Sequence, residues 1–273
     1  MKVNNLFVVL RYLIIIFILV LTILPLAWII LTGFKAEVEY LHTPPIWFPS
    51  DPSFHNYIEM WEDGGKDAFI NSLIITTIST ILALLLGIPS AYSLSRFNTG
   101  GDNFAYWILS IKFLPPIAFA IPISIMFANF NLIDTYAGLI LVYTTFNLPF
   151  VIWILRGFIK EIPTDIDDAA LIDGCGRFQI IYKIIIPLLG PGLVTVTILT
   201  FIFVWSEFLF ALILNNSDLY TVPVRLSQYF SEAVGLRWGP QSALATISII
   251  PMILMAFIGQ NYIVRALTFG AVK

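Results

Sequence analysis

The sequence predicts an all-α integral membrane protein with six transmembrane helices. Hydrophobic residues make up 59% of the 273 residues, charged residues make up 11%, and the mean hydropathy is +0.90. Because soluble domains carry about 25% charged residues, a chain this apolar has too little polar surface to cover a globule. The single cysteine, Cys175, excludes an intrachain disulfide, and the net charge of -3 does not indicate a nucleic-acid partner.

Six stretches are long and apolar enough to cross a bilayer, which takes about 20 helical residues. The first is longer than a signal-peptide core and is followed by no small-residue cleavage site, so we expect it to be retained. Since the spans leave no room for a soluble domain, we expect residues 1–273 to form one transmembrane domain. The predicted spans are Leu6 to Phe34, Ala68 to Phe97, Asn103 to Phe127, Thr135 to Phe158, Pro191 to Leu214 and Gln241 to Val264.

Lysine and arginine residues are distributed unevenly between the predicted loops. With the N-terminus in the cytoplasm, nine of the 14 basic residues lie on the cytoplasmic side, four lie outside, and Lys112 lies within a span. The positive-inside rule therefore predicts that both termini are cytoplasmic. The loop 161–190 then faces the cytoplasm, and the loops 35–67 and 215–240 face outward. The first outer loop, rich in proline and aromatic residues, is either an ordered segment over the outer face or a passive connector.

The loop between the fourth and fifth spans has the pattern of a helical hairpin. Thr164 followed by Asp167 resembles a capping box at the start of a first helix, with Asp in place of the usual Glu or Gln. Gly174 tolerates a positive φ and is expected to end that helix. A second helix is predicted from about Arg177 to Ile186, because Pro187 cannot continue it comfortably.

The predicted hairpin is acidic and carries the small residues Ala169 and Ala170, which let another surface approach closely. Helices that lie on a membrane surface usually carry lysine and arginine on their polar face, whereas anionic lipid would repel this one. A basic protein surface is therefore favoured as its contact over the inner leaflet, which is the alternative. Four aspartates fall within nine residues: Asp165, Asp167, Asp168 and Asp173.

The hairpin resembles the signature loop of ABC importer permeases. The family signature reads Glu-Ala-Ala, three residues, Gly, nine residues, then Ile-x-Leu-Pro. This chain has Asp168–Ala170, then Gly174 after three residues, then Ile184–Pro187 after nine, so the spacing matches at every step. Asp168 stands in place of Glu and Ile186 in place of Leu, which conserves charge and volume.

Runs along nearly the whole chain are similar to one branch of that family, the sugar-importer permeases of the maltose-transporter type. The branch resemblance implies the type I importer permease fold, and half of a translocation path for a sugar or oligosaccharide. It also implies three kinds of neighbour in addition to the lipid bilayer of the cell membrane: a second permease chain, usually a different one, two ATPase subunits and an external solute-binding protein. The similar runs include Ala91–Arg96, Leu114–Pro116, Trp205–Phe208, with Ser206 in place of Asn, and Ala266–Lys273, with Ala266 in place of Gly.

The resemblance also implies which residues meet the ATPase. The signature loop of the family forms coupling helices that sit in a cleft of the ATPase subunit, and the C-terminal tail lies near the ATPase pair. The tail residues of this chain that are implied are Gly270 and Lys273. The coupling residues implied are Asp165, Asp168, Ala169, Ala170, Asp173, Gly174 and Pro187.

Reactive constellations are absent from the sequence. No phosphate-binding loop of the form G-x-x-x-x-G-K-[ST] occurs, so nucleotide chemistry must come from another subunit, which would bind ATP and Mg. The two histidines, His42 and His55, lie in the first outer loop, and no His/Cys cluster has metal-ligand spacing. We therefore expect no catalytic residue, no metal site and no cofactor in this chain, which is not itself an enzyme.

Four polar residues within the predicted spans are candidates for a solute path. A charge inside a membrane costs about 2.5–3.5 kcal/mol on insertion scales, which makes Lys112 in the third span and Glu207 in the fifth unusual. Tyr143 and Asn147 in the fourth span offer hydroxyl and amide groups of the kind that bind sugar hydroxyls. Each of the four can instead serve to bridge helices, and the sequence leaves both roles open.

Prolines within the predicted spans suggest kinked helices around a cavity, because the carbonyls that proline frees must be satisfied by protein or water. Fixed kinks in a static bundle are the alternative. A stand-alone secondary transporter or channel is the alternative function, and it would need neither an ATPase nor a docking hairpin. The prolines expected to interrupt spans are Pro115, Pro116, Pro122, Pro149 and Pro251.

Overall fold

The computed structural model describes residues 5–215, 219–230 and 235–269, and the regular structure within these ranges is entirely helical. π-Helical turns at Trp61–Gly65 and Ile181–Ile185 and a 3-10 turn at Ile111–Phe113 join some of the α-helices. The α-helices are α1 Asn5–Thr32, α2 Glu37–Tyr40, α3 His55–Met60, α4 Lys66–Arg96, α5 Gly101–Ser110, α6 Pro116–Asn129, α7 Tyr136–Glu161, α8 Asp165–Ile172, α9 Arg177–Ile180, α10 Ile186–Leu188, α11 Gly190–Trp205, α12 Leu209–Leu214, α13 Val222–Gln228 and α14 Trp238–Phe269.

By length and composition, the described residues contain four unbroken helices that can cross a membrane, or up to six spans if each of two bent pairs counts as one. The upper number equals the six predicted spans, but the third predicted span is one of the bent pairs and not a continuous helix. In the other pair, Arg177–Leu188 is the second helix of the predicted hairpin, so only Gly190–Trp205 falls in the predicted fifth span. The unbroken spans are Val8–Thr32, His55–Arg96, Tyr136–Glu161 and Trp238–Gln260. The bent pairs are Asn103–Phe113 with Pro116–Asn129, at 85°, and Arg177–Leu188 with Gly190–Trp205, at 84°.

Consecutive prolines break the third predicted span. Leu114 and Pro115 have extended backbones, with ψ values of 132° and 125°, and α6 begins at Pro116. A residue before proline is pushed out of the helical region, so two prolines in a row extend two residues. The expectation that Pro122, Pro149 and Pro251 also interrupt spans is wrong, since α6, α7 and α14 continue through them. One proline removes one hydrogen bond, which a packed membrane helix tolerates.

The fifth predicted span is divided between α11 and α12. The 16 residues of α11 rise about 24 Å, less than the ~30 Å of a bilayer core. The helix ends at Trp205, and α12 begins at Leu209. Between them, the Glu207 carboxylate accepts hydrogen bonds from the backbone N–H groups of Phe210, at 3.1 Å, and Ala211, at 3.4 Å. Glu207 thereby satisfies N–H groups that the start of a helix leaves without partners.

The chain divides into two compact units, of which the first contains residues 1–66 and 225–250. Asn56 is its central polar residue. The amide nitrogen of Asn56 donates to the backbone carbonyls of Gly33, at 3.0 Å, and Lys35, at 2.8 Å, and its amide oxygen accepts from the Tyr40 hydroxyl at 3.1 Å. A Cβ added at Gly239 would overlap both Tyr40 and Asn56, so only glycine fits at this position beside the cluster. Asn56 therefore orders the segment that follows α1.

The second unit contains residues 67–224 and 251–273, and close packing of α4 on α7 forms part of its core. Ala83, Gly87 and Ala91 recur every four residues along α4 and therefore share one helix face. A Cβ added at Gly87 would lie 2.5 Å from the Val151 side chain of α7, so a larger residue would separate the two helices. Small residues at such spacing let membrane helices approach closely.

The same core continues out of the spans and into the predicted hairpin. Ala170 of α8, Ile180 of α9 and Ile185 are buried in one cluster with residues of α4, α7 and α11, such as Ala91 and Leu155. The hairpin is therefore packed onto the helical bundle as an extension of its core.

Candidate functional site

The first helix of the hairpin, α8, begins differently from the sequence prediction. Thr164 has helical dihedral angles, φ -64° and ψ -27°, and its side chain makes no capping hydrogen bond. The predicted capping box at Thr164 and Asp167 is therefore wrong. Its physical reason lies in Asp167, whose side chain is buried and pairs with Arg96 at the end of α4.

The end of α8 agrees with the prediction for Gly174. Its φ is +83°, the left-handed region in which glycine is favoured. The Gly174 N–H donates to the Leu171 carbonyl at 3.0 Å, and the Cys175 N–H donates to the Ala170 carbonyl at 2.9 Å. These two bonds form a Schellman motif, which satisfies the last carbonyls of the helix.

One face of α8 is exposed and acidic, and we call it the α8 face. Each of its residues lies three or four positions from another member, the spacing of a single helix face. Ile172 lies among these acids and is 87% exposed. The α8 face consists of Asp165, Asp168, Ala169, Ile172 and Asp173, all of them exposed.

Two other predicted coupling residues lie apart from this face. Ala170 is buried, 5% exposed, and packs into the core of the bundle. Its side chain therefore supports α8 from behind. Pro187 is exposed near the end of the second hairpin helix. The sequence analysis did not single out Phe178, which lies at the start of that helix and is 79% exposed. The predicted tail residues Gly270 and Lys273 lie outside the described residues.

A buried ion pair at the base of the hairpin is the main feature that sequence reasoning missed. Arg96 Nε lies 2.5 Å from Asp167 Oδ2, and both side chains are at most 7% exposed. The Tyr92 hydroxyl donates to Asp167 Oδ1 at 3.3 Å. The sequence places the basic residue Arg96 at the end of a predicted span, and the hairpin is rich in acids. It does not show which of the four aspartates pairs with Arg96.

The four polar residues proposed for a solute path lie together in the second unit. Lys112 Nζ donates to Asn147 Oδ1 at 3.2 Å and to the Phe146 carbonyl at 3.3 Å. The charge of Glu207 acts on Lys112 and also on the buried Tyr143. Lys112 and Glu207 stand at the two helix breaks, in the 3-10 turn before α6 and between α11 and α12. The two breaks therefore bring their charges to one place.

Within this polar cluster, the residues differ in how fully their hydrogen bonds are used. The Asn147 amide nitrogen donates to the Tyr143 carbonyl at 2.8 Å, so Asn147 bridges α7 to the turn that carries Lys112. The Tyr143 hydroxyl is buried and interacts with the Glu207 side chain and the Ala211 backbone. Lys112 and Glu207 are partly exposed. The cluster thus has a closed inner part and an accessible charged part.

A second charged cluster, in the first unit, joins two segments that the sequence assigned to different outer loops. Arg237 contacts Glu59 and Asp63, each at 2.5 Å, and Arg225 contacts Asp63 at 2.9 Å. Burial lowers the pKa of Arg237, but hydrogen bonds and charges from the two carboxylates outweigh it and raise the pKa above its ordinary value. Both arginines lie over the Tyr229 ring, at 5.1 and 5.5 Å. Glu59 and Asp63 of the first predicted outer loop are therefore joined to Arg225 and Arg237 of the second.

No group of three or more His, Cys, Asp or Glu side chains in the described ranges is placed to hold a metal ion.

Three features together define a membrane-embedded transport protein of the permease class. They are the helices long enough to span a membrane, the hairpin that extends their core, and the polar cluster at two helix breaks.

Comparison with known proteins gives the family. Residues 83–269 match the model for the binding-protein-dependent transport system inner membrane component, and the chain belongs to this family. It is 34% identical over 91% of its length to the sulfoquinovosyl glycerol transport system permease protein SmoH of Agrobacterium fabrum, covering 88% of that protein. It is 32% identical over 93% of its length to the diacetylchitobiose uptake system permease protein NgcG of Streptomyces coelicolor, covering 85% of it.

The fold agrees with that of a solved importer. The crystal structure of a bacterial ABC transporter involved in the import of the acidic polysaccharide alginate matches with a TM-score of 0.78 at 21% identity, over 96% of this chain and 98% of that one. The predicted fold class, an all-α importer permease, is therefore confirmed, and the chain is a permease component of an ABC importer in the inner membrane. A stand-alone secondary transporter or channel is not favoured, because the family works with a binding protein.

Proposed function

We propose that this permease takes up a sugar or glycoside and is driven by a separate ATPase subunit that docks on the α8 face. The observation that carries the docking assignment is the exposure of Asp165, Asp168, Ala169, Ile172 and Asp173 on one side of a helix whose other side is buried in the bundle core. Acidic side chains around the apolar Ile172 favour a partner with a basic rim and an apolar pocket.

The proposed orientation places the hairpin and both termini in the cytoplasm. It rests on the excess of lysine and arginine on that side. ATP and Mg would then be bound by the ATPase subunit, and this chain would supply no catalytic residue. A second permease chain would complete the path, and an external binding protein would deliver the solute to the outer loops, including the segments joined by Asp63 and Arg237.

A sugar or glycoside is the solute class that best fits the polar cluster. Sugar hydroxyls both donate and accept hydrogen bonds, and the cluster offers the Lys112 ammonium, the Glu207 carboxylate and the Tyr143 hydroxyl. The names of relatives that transport sulfoquinovosyl glycerol and diacetylchitobiose support the same class. The breaks at Leu114–Pro116 and Ser206–Phe208 allow this region to change shape.

Charge reversal on the α8 face tests the docking assignment. We expect Asp168→Lys and Asp173→Lys to reduce the amount of ATPase subunit that co-purifies with the permease at least fivefold, because each places a cation where the partner is basic. ATP-dependent uptake of radiolabelled di- and oligosaccharides into membrane vesicles should fall in parallel. Asp51→Lys, at an exposed aspartate of the first predicted outer loop, is the matched control and should change neither. Full ATPase retention in both hairpin variants would refute the assignment.

A further inference from the structure

The end of α4 is attached to the hairpin by buried polar contacts. Arg96 is the last residue of α4, and its guanidinium pairs with Asp167 of α8 while donating to the Ile162 carbonyl at 2.9 Å. Asp167 is buried, unlike the other three acids of the hairpin, which lie on the α8 face. The acids of the hairpin therefore divide into three that are available to a partner and one that faces the bundle.

The same end of α4 also contacts the second helix of the hairpin. The Arg177 guanidinium lies over the Phe97 ring, 5.1 Å from its centroid, and interacts with the Tyr92 hydroxyl. That hydroxyl in turn donates to Asp167. Both hairpin helices are thus held to α4, although the chain itself connects the hairpin only to α7 and α11.

The opposite end of α4 is fastened to the segment that follows α12. Asn71 donates to the Tyr220 carbonyl at 3.1 Å, and the Ser72 hydroxyl accepts from the Val222 N–H at 2.7 Å. With 31 residues, α4 is about 46 Å long. It therefore connects the hairpin to residues 220–222, which belong to the second predicted outer loop.

A buried ion pair is suited to transmit movement in both directions. Two buried opposite charges resist separation, because each would be left unpaired in a low-dielectric interior. Stability alone does not require such a pair, since apolar residues of similar volume often stabilise a protein equally well.

We propose that the Arg96–Asp167 pair is the mechanical link through which displacement of the hairpin moves α4, and with it the segment at residues 220–222. This inference rests on the proposed function, in which the ATPase displaces the hairpin. Arg96 and Asp167 are positioning residues that contact neither solute nor nucleotide. Ala83, Gly87 and Ala91 add to the effect, because close packing on α7 makes α4 and α7 move together.

The test uses the complete complex reconstituted in proteoliposomes. Arg96→Gln should leave the amount of bound ATPase subunit unchanged, while stimulation of ATP hydrolysis by the loaded binding protein and sugar uptake both fall at least fivefold. The swap of Arg96→Asp with Asp167→Arg should recover at least half of the lost stimulation. The apolar pair Arg96→Met with Asp167→Leu should retain thermal stability and bound ATPase but not recover stimulation. Glu161→Gln, at an exposed acid at the end of α7, is the control and should behave as wild type.

Two results would overturn the mechanical link. Wild-type stimulation in the apolar pair would show that packing alone transmits the movement. Loss of thermal stability or of bound ATPase in all three sets of Arg96 and Asp167 variants would show that the pair is needed only for folding. Failure of the proposed function is separate and appears in the wild type, as absence of a bound ATPase subunit and of ATP-dependent uptake.

Discussion

Replacement of Gly174 by alanine tests how the hairpin turn is built. Gly174 has a φ of +83°, and a Cβ added there would meet no atom within 4 Å. The cost is therefore a backbone cost alone, about 1–2 kcal/mol for a left-handed L-residue. Gly176 lies two residues later with a φ of -73° and equally open space. Gly176→Ala keeps a φ that any residue adopts, and its cost of up to about 1 kcal/mol falls on the start of α9, where glycine is favoured over alanine.

Hydrogen exchange of the backbone amides at residues 165–176 measures this difference. A loss of about 1–2 kcal/mol in the local opening free energy corresponds to exchange that is roughly 5–30-fold faster. We expect that acceleration in Gly174→Ala, a smaller one in Gly174→Asn because asparagine tolerates the left-handed region, and little change in Gly176→Ala. Equal exchange in the two alanine variants would refute the argument that positive φ, and not the loss of a glycine as such, determines the turn.

Three further predictions concern polar residues elsewhere. Asn56→Ala removes the side-chain donor to the Gly33 carbonyl, while the Tyr40 hydroxyl keeps its bond to the Lys35 carbonyl, and should lower the unfolding free energy by about 1–3 kcal/mol; an unchanged thermal midpoint would contradict this. Burial lowers the pKa of Lys35 below 10.5, against the opposing charge of Glu39, so the unfolded chain binds more protons and stability should rise with pH up to about 10.5. The difference in melting temperature between wild type and Lys35→Met, followed from pH 8 upward, should show this rise, and a flat difference would refute it. Lys112→Met removes a hydrogen bond from a charged group and should therefore reduce sugar uptake about tenfold or more. The amount of bound ATPase subunit should not change. Normal uptake by this variant would show that Lys112 does not contribute to the solute path.

Local chemistry in the sequence was sufficient to predict the spans and the hairpin turn. Long apolar runs define spans because the bilayer imposes their length, and Gly174 ends α8 as expected since few other residues take its conformation. The two broken spans were less accessible. Consecutive prolines at Pro115 and Pro116 indicated the first break. Nothing in the composition of α11 indicated the second break, where the Glu207 carboxylate accepts hydrogen bonds from the N–H groups at the start of α12.

Long-range pairing was the part that the sequence could not supply. Asp167 looked like its three neighbouring acids, and only the packing of α4 against the hairpin shows that it faces Arg96. The juxtaposition of Lys112 with Asn147 and Glu207 likewise depends on how two broken spans meet the unbroken helix α7. Hydropathy and spacing carry no information about such contacts between residues far apart in the chain.

The central claim, that a separate ATPase docks on the α8 face, is tested most directly by photo-crosslinking. A photoreactive phenylalanine analogue in place of Ile172, 87% exposed on that face, should form one major crosslinked product with the ATPase subunit in native membranes. The same probe in place of Phe17, exposed on α1, should form none. Crosslinking of the Ile172 probe to lipid alone, with no ATPase product, would contradict the account.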